Sequence, residues 1–186
     1  MADTEHVLQR LEAVEAQLAI TQLAARYAIA VDGRDLDALV ELFVDDVNTG
    51  TSGIGRAALR AVYEQSLLRF YRSMHHVGGQ TIELTGPDTA SGRVYCRAEH
   101  EVADRWVIIL MCYHDDYERR DGVWLFRRRR PYMWLGSDWL RRPTGTEWVD
   151  WEGARSAVLP QKLPEWRAFW DMAGADAEQT VTSFPA

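Results

Sequence analysis

Three stretches of this 186-residue chain carry residue types that could do chemistry. The first is Arg26-Tyr27-Ala28-Ile29-Ala30-Val31-Asp32-Gly33-Arg34-Asp35, where an apolar helical pattern runs out on a carboxylate. Ile20, Leu23, Tyr27 and Ala30 recur at three- and four-residue spacing, which predicts a buried helix stripe that stops at Gly33. Asp32 then lies in the last turn, at the negative end of the helix dipole. A carboxylate there is expected to keep its proton more readily and to make a better base. The plainer reading of Asp32-Gly33 is ordinary turn chemistry.

The second stretch is Met74-His75-His76-Val77-Gly78-Gly79-Gln80. Adjacent histidines on a strand point to opposite faces, so only one can look into an interior. His76 shares its parity with Gln80, Ile82 and Leu84, the more apolar face, which makes His76 the inward candidate. A bulge at Gly78-Gly79 would shift the register and put His75 inside instead. An imidazole beside a carboxylate accepts a proton near neutral pH, because the carboxylate fixes its tautomer and stabilises the imidazolium. His100 also falls on an apolar strand face, with Val94, Cys96 and Ala98. The plainer reading of each is a hydrogen-bonded structural histidine. As a metal set, His75, His76, His100 and His114 lack helical His-x-x-x-His or Cys-x-x-Cys spacing, so no metal site is expected.

The third stretch is Arg127-Arg128-Arg129-Arg130. On a strand, alternate arginines face opposite ways, so the run is not one basic surface. Arg127 and Arg129 share parity with Val123 and Leu125 and could enter an interior, where a fixed cation holds a carbonyl or developing oxyanion. The plainer reading pairs all four with surface carboxylates. Tyr27, on the buried helix stripe, and Tyr113, between apolar strand neighbours, are core residues by default. In an enclosed pocket their phenols could donate to a substrate oxygen.

The elements that must position these groups follow from the hydrophobic period. Residues 5–19 place Val7, Leu11, Val14 and Leu18 on one helical face, an extension that either meets a partner subunit or roofs the fold. Asp35 reads as the N-cap of a short helix with Leu36, Leu39, Val40 and Phe43. A short strand is expected over 44–49 and a third helix over 57–71. From there the period changes to two, predicting strands over 74–85, 90–102, 106–118 and 123–135, the last interrupted near Pro131. Pro-containing loops and a final helix over 165–172 close the chain. Helices followed by hairpins imply α+β, with a curved antiparallel sheet wrapped over three N-terminal helices.

Length and 47% hydrophobic content suit one domain over 1–186, with an N-terminal helical extension, 1–19, and a C-terminal segment, 136–186, rich in tryptophan. A net charge of -7 argues against nucleic acid and leaves small neutral or weakly charged ligands. No apolar run reaches the roughly 20 residues that span a bilayer, and the opening helical pattern has no signal-peptide core, so a cytoplasmic protein without a membrane partner is expected. Cys96 and Cys112 sit in apolar strand patterns and read as buried thiols.

Taken in order, Tyr27 with Asp32, the His75-His76-Val77-Gly78-Gly79 strand opening and Asp121-Gly122-Val123-Trp124-Leu125-Phe126 resemble the SnoaL-like branch of the nuclear transport factor 2 superfamily. Within it the chain is most similar to scytalone dehydratase, bile acid dehydratases and lindane dehydrochlorinase. The resemblance implies a cone-shaped α+β barrel that works without a cofactor and uses an aspartate and histidine dyad. That dyad falls on Asp32 and on His76 or His75. The lindane enzyme's pattern points to His76; matching scytalone dehydratase points to His75 and makes His100 a second pocket histidine. Arg129, Tyr27 and Tyr113 match pocket positions of these relatives. The tyrosine of scytalone dehydratase near Thr49 to Thr51 has no counterpart. The expected activity is a dehydratase-type lyase acting on a small hydrophobic, cyclic or polyketide-like substrate. The other readings are an isomerase or cyclase using the same dyad, or a non-catalytic binding module. A homo-oligomer, trimer or dimer, is implied by the relatives.

Overall fold

In the computed structural model, residues 2–139 and 164–172 are described. The pattern from 5 to 33 forms one unbroken helix, α1 (Ala2–Gly33), in which the extension leads directly into the buried stripe. Its C-terminal half buries Ala16, Ile20, Leu23, Ala24, Tyr27, Ala30 and Val31. The N-terminal stripe Val7, Leu11, Val14 and Leu18 stays exposed, so the extension does not roof the fold.

α1 stops at Gly33 as expected, but the left-handed residue that closes it is the next one. Arg34 takes the left-handed conformation, φ 61°, one residue beyond Gly33. Its amide donates to the Val31 carbonyl at 3.2 Å and the Asp35 amide to the Ala30 carbonyl at 2.9 Å, the paired closure of a Schellman motif. Asp35 then caps α2 (Leu36–Glu41) by accepting from the Ala38 amide at 2.9 Å.

In place of a strand over 44–49 there are isolated bridges, Phe43 with Phe126 and Asn48 with Ile54. The loop carries a 3-10 turn, Gly50–Ser52, and leads into α3 (Arg56–Leu67), which is shorter than its apolar pattern. Four strands follow: β1 (Ser73–Leu84), β2 (Thr89–Val102), β3 (Arg105–Arg120) and β4 (Val123–Trp139). They pair in sequence order, antiparallel throughout. β4 runs through Pro131, which an edge strand tolerates. Helices first, then a meander sheet with the core between them, make the α+β class expected from the sequence.

Two bulges re-aim the side chains that matter. In β1, Val77 pairs with Cys96 and Gln80 with Val94, so one extra residue sits at Gly78-Gly79. In β4, Tyr117 pairs with Phe126 while Asp116 pairs with Arg128, which leaves Arg127 as the extra residue. The last described helix, α4 (Pro164–Met172), buries Trp166, Phe169 and Trp170. Trp166 and Trp170 pack against Tyr71 at ring-centroid distances of 5.8 and 5.9 Å. The rest of the tryptophan-rich segment, with the loops expected there, lies outside the described residues. No helix among the described residues is long and apolar enough to cross a membrane.

Candidate active site

Asp32 and His75 meet where the last turn of α1 lies over the opening of β1. His75 Nδ1 is 2.7 Å from Asp32 Oδ1, and the His75 amide donates to Oδ2 at 2.7 Å. Ser73, two residues earlier on the same face of β1, donates its hydroxyl to Oδ1 at 2.7 Å. With both carboxylate oxygens accepting, Nδ1 is the ring nitrogen that donates to Asp32, and Nε2 is the one that Asp32 does not engage. The His75 side chain is only 7% exposed.

His76 is exposed on the opposite face, which corrects the parity expectation. That expectation carried the register of Gln80, Ile82 and Leu84 back through Gly78-Gly79, where the bulge reverses it. The expectation of a proton-retaining Asp32 is also corrected. Burial alone would raise its carboxyl, but the hydrogen bonds and charge of His75, with the hydroxyl of Ser73, hold it below the ordinary carboxylate value.

Arg34, which sequence reasoning gave no role, completes the cluster. It is buried, and its Nη1 donates to the Val31 carbonyl at 2.8 Å and to Ser73 Oγ at 3.1 Å. Its Nη2 reaches the Phe70 and Tyr71 carbonyls at 3.3 and 3.4 Å. The guanidinium lies over the rings of Phe70, at 5.0 Å, and Trp166, at 4.7 Å. Burial lowers its pKa to about 9, against the opposing pull of Asp32. Hydrogen bonds thus run from Arg34 through Ser73 and Asp32 to His75.

His100 stands edge-on to His75 at 5.7 Å and to Phe70 at 4.6 Å. Burial first, and the neighbouring His75 next, depress it to about 4, so it is neutral at neutral pH. Its Nδ1 has no hydrogen-bond partner among the described residues.

Across the interior lies Arg129, whose side chain is 1% exposed. It stacks on Tyr113 at 3.9 Å, Tyr27 at 4.3 Å and Phe126 at 4.7 Å. The Asp115 carboxylate, opposite it on β3, is 3.4 Å away, yet no Arg129 nitrogen makes a hydrogen bond among the described residues. Burial raises Asp115 to about 6, with Arg129 and the Tyr117 hydroxyl pulling the other way. Arg127 is corrected: as the bulged residue it turns outward and pairs with Asp46 at 2.8 Å. Arg129 is inward because the bulge puts it in phase with Phe126, not with Val123 and Leu125.

Tyr27 links the two halves of the site. Its ring is edge-on to His75 at 6.4 Å and to Tyr113 at 5.8 Å, and its hydroxyl accepts from Tyr63 at 3.2 Å. Burial raises the pKa of all three phenols, which keeps them protonated and able to donate. Cys96 and Cys112 are buried free thiols, and burial raises Cys96 to about 11. Among the described residues no three His, Cys, Asp or Glu side chains gather as a metal-binding set.

Proteins of known name share this arrangement of elements. The gamma-hexachlorocyclohexane dehydrochlorinase of Sphingobium indicum is 28% identical over 126 residues, 64% of this chain and 81% of that protein. The crystal structure of a type 2 hexachlorocyclohexane dehydrochlorinase, LinA, superposes with a TM-score of 0.64 at 22% identity, over 73% of this chain and 99% of that one. A protein provisionally named scytalone dehydratase, from Novosphingobium aromaticivorans, gives a TM-score of 0.58 at 25% identity, covering 76% and 94%. The helices and antiparallel sheet match the cone of nuclear transport factor 2-like proteins. The SnoaL-like domain matches residues 12–130, and the chain belongs to that family.

Proposed function

We propose that this protein is a cofactor-independent lyase that removes water by β-elimination from a small cyclic substrate bearing a carbonyl. The hydrogen-bonded pair of Asp32 and His75 carries this reading. His75 Nε2 takes a proton from the carbon next to the carbonyl, and Asp32 holds the tautomer and stabilises the imidazolium. The electron pair freed at carbon forms the new double bond as the carbon-oxygen bond breaks. The departing hydroxide takes back the proton from the imidazolium and leaves as water, so the enzyme ends unchanged. Arg129 and the Tyr27 and Tyr113 phenols steady the carbonyl oxygen, because a cation without hydrogen bonds has donors to spare for it. His100, neutral and apolar-packed, shapes the wall beside His75.

The relatives support the reaction class, since the dehydrochlorinases by name remove hydrogen and chlorine from a ring. A small hydrophobic substrate suits the aromatic side chains around Arg129, where the rings of Tyr27, Tyr113 and Phe126 pack together.

The test offers the purified protein two probes, a cyclic β-hydroxyketone and gamma-hexachlorocyclohexane, and reads product mass. Loss of the mass of water from the first supports the proposal. Chloride release from the second alone replaces water with halide as the leaving group, and a product of unchanged mass means isomerisation. His75→Ala and Asp32→Asn should each lower turnover by about 10²-fold or more, with circular dichroism unchanged. A fully active His75→Ala protein removes the mechanism.

A further inference from the structure

Helix α1 carries two apolar faces, and the domain uses one of them. Ala16, Ile20, Leu23 and Tyr27 are buried against the rest of the chain. Val7, Leu11, Val14 and Leu18 are 56, 51, 53 and 62% exposed, and Leu8 beside them is 54% exposed. At about 100° per residue the two sets stand roughly opposite each other on the helix. The fold that covers the first set therefore lies on the far side from the second. Apolar residues scattered singly over a surface need no partner, but a continuous stripe does.

The spacing of four, three and four is that of a coiled-coil seam. Val7 and Val14 take one core position of the heptad, d, and Leu11 and Leu18 the other, a. Arg10 then falls at g and Glu15 at the next e, on opposite flanks of the stripe. In a parallel, in-register pair the g residue of one helix lies against the e residue five positions on in its partner. Arg10 would meet Glu15 of the partner subunit, and the symmetric contact repeats it. In an antiparallel pair g faces g and e faces e, and this attraction is lost. Neither Arg10 nor Glu15 has an ion pair among the described residues. The stripe also straddles the start of the shared family domain at residue 12, so its first half is an addition to that domain.

We infer that this stripe is a self-association seam. The α1 helix packs against α1 of another copy of the chain, parallel and in register, through Val7, Leu11, Val14 and Leu18, with Arg10 against Glu15 of the partner subunit. Because each domain body sits on the opposite side of its own helix, the bodies point away from the common axis and do not collide.

Sedimentation of the full chain at micromolar concentration and low salt tests this. The wild type is expected at a multiple of 21.3 kDa. Arg10→Glu and Glu15→Arg should each weaken association about tenfold through like-charge contacts at g and e. Combining the two changes should restore it. Leu11→Glu should dissociate the assembly, and since Leu11 is exposed, the variant should keep the wild-type circular dichroism. Val14→Cys should cross-link to itself on mild oxidation. A wild type that stays monomeric overturns the inference and leaves the stripe to a segment of the same chain. An assembly indifferent to Leu11→Glu overturns it too, as does a double charge exchange that fails to restore association. Cross-linking between Val7→Cys and Leu18→Cys chains, without Val14→Cys self-linking, would mean an antiparallel pair and also overturns it.

Discussion

His76→Ala is the informative partner to His75→Ala, because the two side chains are chemically identical and differ only in the face they occupy. Turnover should stay within about twofold for His76→Ala, a change far from the 10²-fold scale of a lost base, and a steady-state assay on the same probe separates them. His100 gives a second expectation. In the unfolded chain it takes a proton near pH 6.5, and in the folded protein only near pH 4. Between those values the unfolded state binds more protons, so stability falls as pH drops from about 6.5 to about 4. At ~1.4 kcal/mol per unit the loss approaches roughly 3 kcal/mol. His100→Gln should flatten that dependence in urea unfolding at pH 7 and pH 5, and a variant with the wild-type slope would remove His100 as the cause. At this scale Asp32, the two adjacent histidines, His100, Arg129 and the tyrosines could be picked out as candidates, because each carries a recognisable group on a periodic pattern, but the choice of His76 over His75 fell on the exposed side chain. Ser73 and Arg34 were not legible as partners. Their roles come from contacts made across 41 and 39 residues of chain.

At the scale of elements, the two bulges explain why parity succeeded for β2 and failed for β1 and β4. Val94, Cys96, Ala98 and His100 alternate without interruption, so reading every second residue gave the buried face. In β1 and β4 one inserted residue reverses the alternation partway, and nothing in Arg127 marks it as the extra residue. Gly78-Gly79 did carry a signal, since glycine is common where a strand bulges. Gly92 shows the opposite use of glycine, in a close approach. A Cβ there would lie 2.6 Å from the Thr81 carbonyl oxygen and 3.1 Å from the Tyr117 ring. The strand backbone cannot give way, so Gly92→Ala should cost about 1–3 kcal/mol by overpacking. Chemical denaturation would show it, and an unchanged midpoint would mean that β1 moves freely against β2.

Across the whole molecule, α4 brings a distant part of the sequence back to the first helix. Trp166 covers the Arg34 guanidinium and packs on Tyr71. Trp166→Ala should therefore destabilise the protein by about 3 kcal/mol, in the range for emptying a buried aromatic site, as read by urea unfolding at neutral pH. A loss below about 0.5 kcal/mol, the scale of surface substitutions, would show that α4 contributes little to the fold. The order of helices and hairpins, and hence the class, was readable from the change of period alone. The extension's exposure was not, because an amphipathic pattern says that a face seeks cover without saying whose.

The position of the Asp32 and His75 pair also bears on how the protein comes to life. The carboxylate belongs to a helix and the imidazole to the first strand of a meander whose strands pair only with their sequence neighbours. Hairpins close over short loops, whereas bringing α1 onto β1 closes a loop of some 40 residues and carries the larger entropic cost. Until α1 is seated on β1, His75 has no carboxylate to fix its tautomer. Catalytic competence therefore depends on a long-range closure, the docking of α1 on β1, and not on the sheet alone.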